Sequence, residues 1–296
     1  MKIEDIKLEY GENFYQKASI EANDKVIDYE VNGNLNYLQI ISIAKGLGLI
    51  SEFYDVKAAC TVKSTGICAV SLGQSLADSV QKTMDSNPID FITAIIVVSS
   101  EVDSEVARFL KDTNIVVAPA FTKNALEILN TKGITYLKIN TPLKDYKNYL
   151  SNETKVTPLG TLTQTPNLSE LDKDLFKVVS ITKPTVEQIE DAVFAWKVAK
   201  HINSQAIVIA KDLKTTAIAQ GLQSASIEFA LDYSCDSSKD AILASDMPLT
   251  VHDIDVASQG RIGVVIIPSA TKDVIAKADK YQMAIITTGF TNIKIS

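Results

Sequence analysis

Lys63 is the first residue in this chain whose setting invites chemistry. The stretch "CTVKSTGICAV", Cys60–Val70, reads as two short strands joined by a tight turn, and Lys63 is its one charged residue. Two roles fit a lysine so placed: neutralising a nearby carboxylate in the turn, or facing a cleft. Lys211, in "IAKD", lies 148 residues further on in a similar setting, so a structural lysine used twice also fits. The chain has 2 histidines, and since histidine is the commonest general base, a histidine mechanism has few candidates. His201 closes one predicted helix, where a cation suits the dipole, and His252 opens another. Asp253 falls at that same helix start, a position the dipole favours for an acid in any case. Asp246, in "ASDMP", reads as a turn former or helix cap. Cys60, Cys68 and Cys235 lie within apolar or small-residue segments and fit no metal-ligand spacing, which points to no metal and to a reducing, cytoplasmic setting.

The elements that must position these groups come from an ordinary globular composition. The 296 residues are 46% hydrophobic and 22% charged, enough for one large domain or two modest ones. The net charge of −7 argues against a nucleic-acid partner, which needs a basic face, and an anionic substrate would need local positive charge. No apolar run approaches the roughly 18 residues of a membrane span. The densest run is "AIIVV" at Ala94–Val98, and the charged opening "MKIEDIKLEYGEN" is unlike a secretory signal.

Strand and helix patterns alternate along most of the chain. In the first half "KAACTV", "ICAVSL", "FITAIIVV", "NIVVAP" and "ITYLKI" read as β-branched strands, with amphipathic helices in "GQSLADSVQKTMDS", "SEVARFLKD" and "TKNALEILNTK". The second half repeats the course with strands "QAIVIAKD", "TTAIAQG", "AILASD", "VVIIPSA" and "MAIITTG" and helices "SASIEFALDY", "VHDIDVASQ" and "TKDVIAKADK". Pro119 and Pro268 are 149 residues apart, Lys63 and Lys211 148, Asp90 and Asp240 150; three anchors at nearly one offset argue for a duplicated α/β unit. The predicted organisation is a first unit with an N-terminal segment over 1–140, a connector over 141–183 with one strand near "TPLGTLTQ", and a second unit over 184–296. The clearest helix is "PTVEQIEDAVFAWKVAKHI", where Thr185 and Gln188 have capping-box spacing and Trp196 sits in the apolar stripe as a core residue.

Several longer stretches carry a family resemblance. "LEYGENFYQ" (Leu8–Gln16), "LNY" (Leu35–Tyr37), "IVVAPAFTKNALEIL", "FAWKVAKHINSQAIVIAKD" and "ILASDMP" are similar, in order, to segments of the aminoimidazole carboxamide ribonucleotide (AICAR) formyltransferase domain of the PurH family. The resemblance covers nearly the whole chain, from Leu8 onward, and suggests a stand-alone version of a domain that usually follows an IMP cyclohydrolase domain. It implies two tandem cytidine-deaminase-like α/β units in a three-layer α/β/α arrangement, and a homodimer whose sites are built across subunits. It implies formyl transfer in purine biosynthesis, with 10-formyltetrahydrofolate as cosubstrate and AICAR as acceptor. Lys63 matches the lysine of the family's Lys-His dyad and Asp253 the acid after its aromatic run, both catalytic; Tyr10, Asn114 and Gln205 fall at substrate-contact positions.

The matching positions also depart from the family pattern. Ser64 replaces the dyad histidine; Ile92-Thr93-Ala94 replaces Phe-Gly-Gly; Glu9, Ala225 and Thr291 stand at three arginine positions. Removing one positioned base costs roughly 10²–10⁴-fold in rate, and arginines that grip a phosphate contribute about 1.5–3 kcal/mol each. Two readings follow: an active formyltransferase with a remodelled site, or a catalytically degenerate paralogue that binds a ligand or acts as a regulator. A zinc deaminase, which the fold type alone would suggest, needs His-x-Glu and Pro-Cys-x-x-Cys, and the sequence has neither.

Overall fold

The computed structural model describes residues 6–21, 23, 25–64, 66–170 and 176–295. Residues 1–5, the start of the charged N-terminal stretch, and 171–175 of the connector lie outside them. Three short strands, β1 (Ile6–Leu8), β2 (Ala18–Ile20) and β3 (Tyr29–Asn32), lead to α1 (Tyr37–Ile50). Asn36 and Gln39 form a reciprocal capping box at the start of α1, each side chain accepting the other's backbone N–H. Then follow β4 (Lys57–Lys63), β5 (Gly66–Gly73), α2 (Leu76–Ser86), α3 (Pro88–Phe91), β6 (Ile95–Val98), α4 (Ser104–Phe109), β7 (Ile115–Ala118), α5 (Lys123–Lys132) and β8 (Thr135–Ile139). Next come β9 (Glu153–Thr157), β10 (Gly160–Gln164) and β11 (Lys177–Val178). The remainder is α6 (Val186–Ala199), β12 (Ala206–Lys211), β13 (Lys214–Gln220), α7 (Gln223–Ser234), β14 (Ile242–Ser245), α8 (Val251–Gln259), β15 (Val264–Ile267), α9 (Lys272–Lys280) and β16 (Ala284–Thr287).

One 12-stranded mixed sheet runs β11-β16-β15-β14-β12-β13-β5-β4-β6-β7-β8-β3. Outward from the β5–β13 seam each side shows the same sequence: a hairpin strand, its antiparallel partner, three further strands, and a short antiparallel edge. Period-two alternation assigns the sheet's two faces. Ala58, Cys60 and Val62 of β4 point into a core shared with α1 and α6, which spans both halves and holds Trp196; Ala59 points to the opposite face, against α2, α4 and α5. α7, α8 and α9 cover that face in the second half. The result is the expected three-layer α/β/α arrangement. Among the described residues no helix is long and apolar enough to cross a membrane.

Two features differ from the sequence reading. The connector was expected to hold one strand, but it forms a hairpin: β9 and β10 pair from Glu153↔Gln164 to Thr157↔Gly160, turning through Pro158 and Leu159. A positive φ of 137° at Gly160 explains why glycine closes the turn. The sheet also gains edge strands, β3 and β11, that are short and partly exposed, as edges tolerate.

Candidate functional site

The seam between the two halves is paired at one end and open at the other. On the ladder, β5 meets β13 at Lys214↔Ser71 alone. That end is fastened further by Leu72 N–H to Leu213 O (2.8 Å), by Val70 N–H to Thr215 Oγ1 (3.0 Å), and by a bond from Ser86 Oγ to Thr215 O. The same register would bring Ile67 opposite Ile218, but there the strands have parted. Gly66, Ile67 and Cys68 form one wall, and Ile218, Ala219 and Gln220 the other, of a cleft of about 620 Å³. Asn87, Asp90, Ala225, Phe229 and Tyr233 add to its lining, with Lys45, His201 and Asn203.

Lys63 closes β4, and its Nζ lies 2.7 Å from Oδ1 of the lining residue Asp90. Asp90 is placed by α3, which Asn87 caps and Pro88 begins; Asn87 Nδ2 also donates to Asp90 Oδ2 at 2.9 Å. The Lys63 ammonium holds the Asp90 carboxyl below its usual range, against the effect of partial burial. Of the two readings of Lys63, the pairing with a carboxylate is formed; Asp90 lines the cleft, while Lys63 itself is not among the described residues lining it. Both side chains are about a third exposed (32% and 37%), so the pair is open to solvent and ligands. Ser64 stands exposed in the turn beside them. Lys211 does not repeat the arrangement; its Nζ donates to Lys239 O at 2.8 Å.

The second half brings aromatic groups across. Phe229 and Tyr233 of α7 stack with centroids 6.2 Å apart and planes at 25°. Tyr233 lines the same cleft as Asp90, and burial first, then the charge of Asp90, raises its phenol. Burial, reinforced by Asp90, lifts the Cys68 thiol to about 11, so it stays a thiol near neutrality and is no nucleophile.

The other sequence candidates occupy supporting or outlying places. Asp253 is 1% exposed and saturated: it accepts from Ser224 Oγ (2.6 Å), Gln223 Nε2 (2.9 Å), Thr250 N (2.7 Å) and Thr250 Oγ1 (2.7 Å). Burial alone would raise its carboxyl; these donors hold it below the usual range. It caps α8 and also pins the start of α7, which has no side-chain cap of its own, between the lining residues Leu222 and Ala225. Asn114 is 2% exposed and gives its amide hydrogens to Phe91 O (2.7 Å) and Ala94 O (3.1 Å), so it braces the loop after Asp90. Gln205 is half-buried behind the cleft, where its carbonyl accepts from Gly221 N at 3.2 Å. Tyr10 is half-buried just after β1 and is not among the described residues lining the cleft.

Sequence reasoning missed the group that joins the halves at the cleft's other end. Glu52, in a 3-10 turn after α1, accepts from Lys200 Nζ at 2.8 Å, with Lys147 Nζ at 3.7 Å and His201 Nε2 at 3.5 Å. Lys197 Nζ adds a bond to the Glu52 carbonyl at 3.0 Å. Burial works against the carboxylate, but His201, once protonated at acid pH, and Lys200 bring it down to about 2. His201 corrects its helix-end reading: burial lowers its pKa despite Glu52, so it is neutral near pH 7 and no cation for the dipole. Its Nε2 is within ion-pairing range of Glu52 but makes no formed hydrogen bond. Asp90 was also missed as a site residue, although its offset to Asp240, matching that of Lys63 to Lys211, was the available signal.

Fold and cleft together define a class: an α/β protein with a cleft where two halves of one sheet part, lined by apolar groups and a few polar ones. The chain belongs to the AICARFT/IMPCHase bienzyme family, whose family model matches residues 2–232. It is 32% identical to the bifunctional purine biosynthesis protein PurH of Anoxybacillus flavithermus, over 97% of this chain and 58% of that protein. The PurH protein of Caldicellulosiruptor saccharolyticus is 33% identical, over 97% of this chain and 59% of its own length. That of Fusobacterium nucleatum is 31% identical, over 98% and 59%. The family is one of purine biosynthesis, and this chain spans just under three-fifths of the length of these relatives.

Proposed function

We propose that the chain is an AICAR formyltransferase, moving a formyl group from 10-formyltetrahydrofolate to the amine of AICAR. The observation that carries the reading is the pairing of Lys63 with Asp90, a residue that lines a cleft built by both halves. The acceptor amine attacks the formyl carbon, and the oxyanion that develops needs a positive group beside it; as the bond from that carbon to the folate nitrogen breaks, the amine gives up one proton and the folate nitrogen takes one up. Lys63 is the charged donor for the oxyanion and Asp90 its anchor. Asp253 and Asn114 act through the rims they brace, and Tyr10 and Gln205 are further substrate contacts. The halves are tandem copies of one unit, consistent with their matching strand order and the offsets of 148–150 residues. The protein works in the cytoplasm as a homodimer, for which the exposed Ile89, Leu222 and Phe229 near the cleft offer an apolar face.

The test mixes purified protein with AICAR and 10-formyltetrahydrofolate and follows tetrahydrofolate release by absorbance. Turnover that Lys63→Ala abolishes is the expected result; wild-type protein with no turnover overturns the reading. A second reading, a degenerate paralogue that binds without reacting, is favoured by Ser64 at the histidine position. Thermal stabilisation by AICAR without turnover would select it.

A further inference from the structure

A second cavity, of about 300 Å³, lies against another face of α1. Ile40, Ile43, Ala44 and Leu47 line it at the i, i+3, i+4, i+7 spacing of one helix face, whereas Lys45 lines the cleft. Tyr29, on β3, and Tyr146, on the 3-10 turn Leu143–Tyr149, add rings to its walls. Ile43 and Leu47 belong to the core, and the two tyrosines pack against it while staying half-buried. The space is about twice the roughly 150 Å³ of an apolar cavity that takes up benzene, so it admits an aromatic ring with a short head. Walls that are part aliphatic and part aromatic suit such a ring.

The lining also includes two exposed charges of opposite sign, Glu21 and Lys25. Asn23 accepts from Lys25 N–H at 2.8 Å, which fixes the backbone at Lys25. Lys25 Nζ donates to Leu150 O at 3.2 Å, just past the 3-10 turn, and has two further N–H donors. Among the described residues neither Glu21 nor Lys25 forms an ion pair, with the other or with a third group. A carboxylate and an ammonium left apart beside an apolar cavity complement a molecule that carries an ammonium, a carboxylate and an apolar side chain on one carbon.

We propose that this cavity is a binding site for a free aromatic α-amino acid, its ring among the α1 stripe and the tyrosines, its carboxylate at Lys25 and its ammonium at Glu21. Tyr146 links the site to the rest of the molecule. Its hydroxyl donates to Ala44 O at 3.3 Å, and a Cβ on Gly48 of α1 would lie 3.9 Å from Tyr146 Cε1 and 3.6 Å from His201 Nδ1. His201 therefore senses the cavity from across one glycine, while His252, on α8, lies in the second half of the chain.

Calorimetric titration tests the site with L-phenylalanine, 3-phenylpropionate, phenethylamine and toluene, on wild type, Glu21→Gln, Lys25→Gln and Leu35→Trp, the last placing a ring in the cavity that Leu35 lines. Wild type should bind phenylalanine about 3- to 10-fold more tightly than either singly charged analogue. Lys25→Gln should weaken phenylalanine and phenylpropionate by that factor and leave phenethylamine unchanged; Glu21→Gln should do the mirror image. Leu35→Trp should weaken all of them, and the two exposed rim substitutions keep the test decisive if it folds poorly. In proton spectra of the two histidines, phenylalanine should shift His201 and not His252. The inference fails if toluene binds as tightly as phenylalanine, if the rim variants do not discriminate among the analogues, or if His201 does not respond. It fails too if wild type binds no phenylalanine at about 10 mM, or if binding weakens as protein concentration rises, which would show a second copy covering the cavity. None of these outcomes depends on turnover at the cleft.

Discussion

Replacing Glu52 by glutamine tests whether its ion cluster joins the two halves. The carboxyl is held at about 2 against an ordinary 4.5. At about 1.4 kcal/mol per unit, that difference amounts to about 3 kcal/mol at pH 7. The side chain is 10% exposed, so solvent screening reduces this little, and breaking a buried ion pair costs a similar 3–5 kcal/mol or so. Glu52→Gln should therefore lose about 3 kcal/mol in urea unfolding at pH 7, with a melting point lower by roughly 5 °C. The sign with pH follows from a depressed acid: its stabilisation is complete above 4.5 and is lost as pH falls toward 2. His201 acts earlier. Its lowered pKa means the unfolded chain gains a proton that the folded one refuses, and without Glu52 the refusal is stronger. The gap between wild type and variant should widen modestly as pH falls through the ordinary histidine range, then shrink to less than half by about pH 3. A gap under about 1 kcal/mol at pH 7, or one that persists at acid pH, refutes the reasoning.

Asp253→Ala should cost about 2–3 kcal/mol, since Ser224, Gln223 and Thr250 lose their common acceptor. Hydrogen exchange should accelerate at the start of α7 and α8 while α9 is unchanged. Gly46→Ala puts a methyl 2.6 Å from Val97 Cγ2 and should destabilise by about 1–3 kcal/mol in urea unfolding. Lys63→Ala, by contrast, should change stability by less than about 1 kcal/mol, because its ion pair is a third exposed; the same denaturation series checks that any loss of turnover is chemical.

What the sequence made legible was what local patterns determine. The β-branched, turn-bounded run "KAACTV" and the 3.6-residue stripe of "VEQIEDAVFAWKVA" placed β4 and α6, and the Thr185–Gln188 spacing is a formed capping box. Reading Asp253 as favoured at a helix start agreed with its cap on α8, though not with its reach to Gln223 and Ser224 on another helix. Long-range facts stayed hidden. Glu52 meets Lys197 and Lys200, 145 and 148 residues away, and no local pattern marks such a contact. The second connector strand was missed because "NETKV" is polar and exposed on both faces, without the alternation that a core-facing strand shows. His201 looked like a helix-end cation because burial, which neutralises it, is set by elements distant in sequence.

The asymmetry of the seam explains why the candidate chemistry gathers at one end. Where β5 and β13 pair, Thr215 and Leu213 satisfy the backbone of Val70 and Leu72, and nothing can enter. Where they part, backbone that would have formed a ladder faces the cleft, and the structures on either side lose the support the ladder gave. Each side is therefore braced independently and from behind. Asn114 ties down the loop that follows Asp90, and Asp253 ties down the first turn of α7; both are buried and neither is among the described residues lining the cleft. An open seam held by buried polar braces keeps Lys63, Asp90 and Tyr233 in place without closing over them. Loosening either brace should disturb the cleft while leaving the paired end of the seam intact.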